Sequence, residues 1–252
     1  MFNMLQCSEF YRTGDPESMI KRRIKDMNCT ALASGLICQK EYDFLTPEYT
    51  RFPIIYGLPK VHKDVKDPPL RPIVSMIGSA IEPLSKYVDT FLKPLVSQLP
   101  SYVRDTVHFI LKLEGLQYNP KQEILVTMDL EALYTNIPQQ QALDCVASYL
   151  DDLGGDPLHV FVLNCLEIIL FNNYFDFNGT IYKQIKGVSM GAAYAPSVAN
   201  LYVGAFEEKH IYNEIAPFFE NVHLWCRYMD DVFFIWRGKE QELLEFFLWL
   251  NL

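Results

Sequence analysis

Two adjacent aspartates stand where a turn is expected between two strongly apolar runs. Asp230 and Asp231 lie between the segments VHLWCRY and VFFIW, both of which have the composition of strands. Turns favour Asp, so a purely structural turn is one interpretation. Hairpins more often use Asp-Gly or Asn-Gly, however, and adjacent negative charges repel each other unless a cation offsets the repulsion. A structural turn and a metal site therefore both remain open.

A third carboxylate ends another apolar segment. Asp129 directly follows ILVTM, which is typical of a short buried strand, although an acid in this place can also cap a turn or helix. If the strands are neighbours, Asp129 meets Asp230 and Asp231 at one edge of a sheet. Such a set of oxygen ligands suits Mg²⁺. Two such ions about 4 Å apart would support phosphoryl transfer.

The elements that must position these acids are of mixed type. Proline and basic residues crowd residues 53–72, which predicts a loop between two short extended pieces, IIYGL and LRPIVS. The Asn178-Gly179 pair between alternating apolar residues predicts a β-hairpin. We therefore predict an α+β fold with an antiparallel sheet covered by helices on one face. Apolar periodicity predicts helices at 16–45, 79–97, 104–114, 139–150, 157–171 and 196–208.

Composition narrows the class of protein. The 252 residues are 50% apolar and carry a net charge of −9, which excludes a disordered chain or a coiled coil. No uninterrupted apolar run reaches the roughly 18 residues of a membrane span, and no signal peptide is visible, so we expect an intracellular protein. The six cysteines show no zinc-ligand spacing, which predicts mostly packed, reduced thiols.

Four segments, in this order, resemble the motifs of a known family. They are YGLPKVHK with LRPIVS (56–75), TMDLEALYTNIP (127–138), GVSMGAAYAPSVANLY (187–202) and YMDD (228–231). Together they resemble the reverse transcriptases of Penelope-like retroelements, which are relatives of telomerase reverse transcriptase. The resemblance covers about residues 50–252. It implies a right-hand polymerase fold, with an N-terminal, mostly helical segment at 1–50, fingers and connecting helices at 51–128, and a palm at 129–252.

The resemblance implies roles for the acids and their neighbours. Asp129 and Asp230 would be the main ligands of two Mg²⁺ ions, with Mn²⁺ as an alternative, and Asp231 would be the third carboxylate. The backbone of Leu130 would lie beside one ion. Tyr134 would occupy the space of a ribose 2′-hydroxyl and so select deoxynucleotides. Without the motif, a simple core tyrosine is the plainer interpretation of Tyr134.

Further residues would bind the substrates. Lys60, Lys63 and Arg71 would hold the triphosphate, for which a solvated basic loop is the alternative. Gly191 would let the chain pass close to the nucleotide, although the Ala-Ala-Tyr-Ala that follows it departs from the family's usual polar pattern. The resemblance also implies that Tyr228 and Met229 line the primer terminus. The alternative for both residues is core packing of the hairpin.

The expected activity is RNA-directed DNA synthesis by two-metal nucleotidyl transfer. Its partners would be an RNA template, a DNA primer and deoxynucleoside triphosphates, with no membrane, and the family implies a nuclear location. The chain ends at Leu252 within an expected helix, so we expect the thumb to be absent from it. Two alternatives remain: a catalytically silent module that binds RNA or protein, and another two-metal enzyme such as a nuclease.

Overall fold

A computed structural model describes residues 10–12 and 16–250 of the chain. Residues 1–9 and 13–15 of the predicted N-terminal segment, with Cys7, and the last two residues lie outside this range. The strands are β1 (Phe10–Arg12), β2 (Ile54–Pro59), β3 (Leu70–Ser75), β4 (Glu123–Asp129), β5 (Tyr174–Phe177), β6 (Thr180–Gln184), β7 (Val222–Tyr228) and β8 (Asp231–Arg237). The helices are α1 (Glu17–Ala33), α2 (Gln39–Leu45), α3 (Glu82–Val96), α4 (Thr106–Leu113), α5 (Leu133–Asn136), α6 (Gln139–Asp151), α7 (Pro157–Phe171), α8 (Ala195–His210) and α9 (Glu240–Leu250).

The chain divides into two compact units that are interleaved along the sequence. Unit 1 comprises Met1–Lys93 and Tyr134–Val198, and unit 2 comprises Pro94–Leu133 and Ala199–Leu252. The expected mixed α+β class is confirmed, because both units combine helices with a sheet. None of the helices among the described residues is both long and apolar enough to cross a lipid bilayer.

Unit 1 contains a five-stranded sheet with the order β1-β6-β5-β2-β3. The hairpin of β5 and β6 turns at Asn178 and Gly179, whose φ values of 50° and 72° confirm the predicted turn. The sequence predicted one antiparallel sheet, and this is wrong: the described residues form two sheets, and in the unit 1 sheet β2 pairs with β5 in parallel, with Ile54 opposite Asp176. This parallel pair joins segments more than 100 residues apart, so local periodicity could not reveal it.

Unit 2 contains a three-stranded antiparallel sheet with the order β4-β8-β7. Helix α9 covers one face of it, where Phe246 packs against Trp236 and Phe234 with ring centroids 5.0 Å and 5.8 Å apart. On the other face, Phe109 of α4 meets Phe233 edge to face at 5.2 Å. Helix α4 begins where the Asp105 carboxylate accepts a hydrogen bond from the backbone N–H of His108, at 2.8 Å. Helices therefore pack against both faces of this sheet, and the expectation of helices on one face is wrong here.

Candidate functional site

The three predicted acids lie at one end of the unit 2 sheet. Asp129 is the last residue of β4 and Asp231 the first of β8, and the two are register partners. Directly opposite residues of an antiparallel pair project to the same face, with Cβ atoms about 5 Å apart. Asp230 occupies the turn next to them, and all three residues are exposed. The sheet register therefore brings Asp129 and Asp231 side by side at an accessible edge.

The turn that carries Asp230 is tied to the neighbouring strand end. The backbone N–H of Leu130 donates to the carbonyl oxygen of Asp230 at 2.9 Å. Met229, the residue before it, has a φ of 59°, a left-handed conformation that non-glycine residues seldom adopt. Tyr228 ends β7 opposite Asp231, and the residue is 53% exposed. This strained turn is thus held in place by a backbone hydrogen bond between β4 and the β7–β8 hairpin.

The donor chemistry of this edge fits a hard divalent cation. Exposed carboxylate oxygens, without a sulfur or imidazole ligand, are the donors that Mg²⁺ takes, and Mg²⁺ completes its shell with water and substrate phosphates. Within residues 10–12 and 16–250, however, no group of three or more His, Cys, Asp or Glu side chains is arranged to hold an ion. The register pair of Asp129 and Asp231 therefore offers a partial ligand set.

A groove of about 570 Å³ opens beside the same strand end in unit 2. Its walls are mostly apolar, and Asp231 and Tyr228 contribute to its lining. Burial raises the pKa of the Cys226 thiol in this wall, so that the thiol stays protonated at neutral pH. The volume lies within the range of small-ligand sites. Other residues of its lining are Val103, Phe109, Thr127 and Phe233.

Sequence reasoning missed a buried polar network directly behind the turn. Arg227 and Glu207 are each 1% exposed, and the Arg227 Nε–H donates to the Glu207 Oε1 at 2.7 Å. Asn200, also buried, accepts a 2.6 Å bond from Arg227 Nη1. One signal could have revealed the network: an arginine at an inward position of the otherwise apolar strand VHLWCRY requires a buried partner.

The predicted phosphate-binding residues lie on the β2–β3 hairpin of unit 1. Arg71 is on β3 opposite Leu58, and its side chain is exposed. Lys60 follows β2, where its backbone N–H donates to the Pro69 carbonyl at 2.8 Å and closes the loop that carries Lys63. The hairpin therefore brings three cationic residues to its loop end.

Gly191 lies against the same hairpin. The backbone N–H of Val74 donates to the Met190 carbonyl at 2.8 Å. A Cβ atom on Gly191 would stand 2.7 Å from the Val74 oxygen, and the φ of Gly191 is 103°. Glycine is therefore required here by the approach of the chain to β3.

Tyr134 begins the second segment of unit 1, in α5. Its carbonyl oxygen accepts a 2.7 Å bond from the backbone N–H of Val188. The residue is partly exposed. Its backbone thus anchors the loop that leads to Gly191.

Comparisons with known proteins found a matching family model and solved structures of similar fold. A family model described as reverse transcriptase (RNA-dependent DNA polymerase) matches residues 62–248. Apo telomerase from Candida tropicalis is similar in structure, with a TM-score of 0.56 and 13% identity over 90% of this chain and 44% of that chain. Telomerase from Candida albicans in complex with the TWJ fragment of telomeric RNA gives 0.51 and 13%, over 88% and 42%.

The chain spans less than half the length of the telomerase chains, and identities this low show a shared fold. A comparison with curated proteins found no match.

Proposed function

Since the chain belongs to the reverse transcriptase family, we propose that it is an RNA-directed DNA polymerase domain that extends a DNA primer on an RNA template. The observation that carries the proposal is the register pair of Asp129 and Asp231, with Asp230 in the adjoining turn. The four motifs and the telomerase-like fold support an origin in a Penelope-like retroelement, with a nuclear location. Fingers with connecting helices at 51–128 and a palm at 129–252 belong to the same proposal.

The carboxylates of Asp129, Asp230 and Asp231 would hold two divalent ions, Mg²⁺ or Mn²⁺, with the Leu130 backbone beside them. Bound ions would supply the charge that activates the primer 3′-hydroxyl and neutralises the departing pyrophosphate. Tyr228 and Met229, which flank the acids, are proposed to contact the primer terminus. The exposure of all three acids supports this role, since the ligands must reach a substrate from solvent.

The nucleotide would be bound by residues of unit 1. Lys60, Lys63 and Arg71 would attract the triphosphate, with the planar guanidinium of Arg71 able to contact two phosphate oxygens. Tyr134 would exclude a 2′-hydroxyl from the sugar site. The requirement for glycine at 191 supports a role in shaping the loop near the nucleotide.

Primer extension on an RNA template with Mg²⁺ and deoxynucleotides tests the proposal. We expect the parent to extend the primer and Asp230→Asn to lose at least about 100-fold in rate, because a lost ligand removes several kcal/mol of transition-state stabilisation. Asp152→Asn, an exposed aspartate after α6, is the matched control and should retain the parental rate. Parental extension by a folded Asp230→Asn would contradict the proposal.

A second candidate is a catalytically silent module that binds RNA or a protein partner. It is favoured by the lack, among the described residues, of three side chains gathered for an ion. Its signature would be RNA binding by the parent and by Asp230→Asn with equal affinity, and no extension by either. Extension by the parent would exclude it.

A further inference from the structure

Arg227 is a fully buried cation directly before the turn that carries Asp230. It lies in β7, is 1% exposed, and is among the largest fully buried side chains of the described residues. A buried charge is costly unless it is paired and its hydrogen bonds are satisfied. The acceptors of the Arg227 N–H groups therefore indicate the structural role of this residue.

Two of the donors are used by one carboxylate. Nε and Nη2 of Arg227 donate to Oε1 and Oε2 of Glu207, at 2.7 Å and 3.1 Å, in a bidentate pair. Glu207 is fixed in turn, because it also accepts from Trp225 Nε1 at 2.7 Å and from Ser101 Oγ at 2.6 Å. The guanidinium plane thus has one permitted orientation.

One of the remaining donors reaches the turn, and the others are taken by Asn200, whose backbone carbonyl also accepts from Nη2 at 3.1 Å. Nη1 of Arg227 donates to the carbonyl oxygen of Met229 at 3.2 Å and to Oδ1 of Asn200 at 2.6 Å. Nδ2 of Asn200 donates to the sulfur of Met229 at 3.1 Å. Arg227 therefore holds the backbone of Met229 directly and its side chain through Asn200.

Met229 needs such support because of its backbone conformation. A φ of 59° in a non-glycine residue costs free energy and persists only where the surroundings enforce it. The carbonyl of the next residue, Asp230, is held from the other side by the N–H of Leu130 at 2.9 Å. Hydrogen bonds from Arg227 and from Leu130 thus fix two successive carbonyl groups of the turn, those of Met229 and Asp230.

We propose that Arg227 is a positioning residue, oriented by Glu207, which fixes the Met229 turn and thereby the carboxylate of Asp230. The predicted effect of Arg227 on catalysis rests on the proposed function. Its predicted effect on the structure of the turn is independent of that function.

The same sheet supplies a matched control. Arg237, at the far end of β8, pairs with Glu123 at 3.0 Å, so it is also an arginine bound to a glutamate. Its bonds are made at the opposite end of the strand from Asp231. Arg237→Lys should therefore change an ion pair of this sheet without changing the turn.

The first test is Arg227→Lys, assayed for primer extension as a function of Mg²⁺ and deoxynucleotide. Lysine keeps the charge beside Glu207, but a single ammonium cannot replace the planar fork that also reaches Met229 and Asn200. We expect kcat to fall by roughly 10- to 100-fold, the effect of displacing a reactive group by about 1 Å. The Mg²⁺ concentration for half-maximal rate should rise, with KM for deoxynucleotide unchanged. A variant that was only less well folded would show no such shift in the Mg²⁺ requirement.

The second readout is independent of activity. In protein carrying ¹³C-methyl methionine, the Met229 signal, assigned through Met229→Leu, should move in Arg227→Lys and stay in place in Arg237→Lys. An unmoved Met229 signal in folded Arg227→Lys overturns the positioning proposal. If the parent extends no primer but the signal moves, the proposed function fails while the positioning of the turn stands.

A double variant covers the case in which Arg227→Lys does not fold. Replacing both members of a buried ion pair by apolar residues of similar volume is often tolerated. Arg227→Met with Glu207→Met should therefore fold and still show the moved Met229 signal. A parental signal in this variant would overturn the proposal.

Discussion

At the scale of single residues, Gly191 and Gly154 have almost the same backbone conformation but different surroundings. Their φ values are 103° and 101°. A Cβ at position 191 would meet the Val74 carbonyl at 2.7 Å, whereas a Cβ at position 154 would find nothing within 4 Å. Alanine substitutions at these two glycines therefore separate the free-energy cost of a positive φ from the cost of a steric clash.

We expect Gly191→Ala to destabilise the protein more than Gly154→Ala. Both should lose stability through strain, of the order of 1–3 kcal/mol. Gly191→Ala should lose about a further 1–3 kcal/mol, because backbone must move to admit the methyl group. Urea denaturation followed by circular dichroism measures the difference. Equal midpoints for the two variants would show that the approach to β3 is not a constraint.

The candidate site illustrates what residue types can and cannot reveal. Asp129 and the Asp230-Asp231 pair could be selected from the sequence, because acids next to apolar strands are conspicuous. Arg227 was missed because its role depends on the ion pair with Glu207, a residue that is 20 positions away and contacts Arg227 only in the folded chain. Local sequence carries the type of a side chain but not its partner.

At the scale of elements, the unit 2 sheet is fastened at its other end by Glu123. Its carboxylate accepts from the backbone N–H of Asn119 at 2.8 Å and lies 3.0 Å from Arg237 and 2.7 Å from His223. The Asn119 hydrogen bond and then these two partners hold the pKa of Glu123 below its usual value, against the opposing effect of desolvation. The β4–β8 pairing thus ends in an ion pair at this side.

The lowered pKa gives a pH dependence with a definite sign. A carboxyl group whose pKa is lower in the folded protein adds stability above its unfolded pKa, near 4.5, and loses it as the pH falls through the folded value. We therefore expect the parent to be more stable than Glu123→Gln at pH 7, with a difference that shrinks below about pH 4.5. Glu220→Gln, on an exposed side chain, is the control. Urea midpoints across pH 3–7 measure it, and a difference independent of pH would contradict the expectation.

The elements themselves were largely predictable, and their pairing was not. Asn178-Gly179 marked its hairpin because the turn chemistry is local. Strand β1 and the four-residue helix α5 were missed, since three or four residues are too short to show a period. The joining of the β2–β3 and β5–β6 hairpins into one sheet also escaped prediction, because it depends on the parallel pair at Ile54 and Asp176.

At the scale of the whole molecule, neither unit is a continuous stretch of the chain, because the chain passes between the units at 93–94, 133–134 and 198–199. Each unit is built from two stretches that are separated in sequence by residues of the other unit. We therefore expect the two units to unfold in one cooperative transition.

Two buried thiols, one in each unit, test this expectation. Burial raises the pKa of Cys165 in unit 1 to about 12 and raises that of Cys226 in unit 2, so neither should react with a maleimide in the native protein. Cys29 and Cys38 are exposed and should react at once. On addition of urea, Cys165 and Cys226 should become reactive at the same midpoint. Separate midpoints, read by mass spectrometry, would show independent units.

The register of β4 with β8 also has a consequence for biosynthesis. Asp129 and its partner Asp231 are 231 − 129 = 102 positions apart. At roughly 5–20 residues per second, a ribosome needs about 5–20 s to make this stretch. During that interval the nascent strand 123–129 has no pairing partner, so its apolar side chains are available to a chaperone or to another chain. The yield of native protein should therefore depend on how this unpaired strand is protected during synthesis, as well as on the stability of the finished fold.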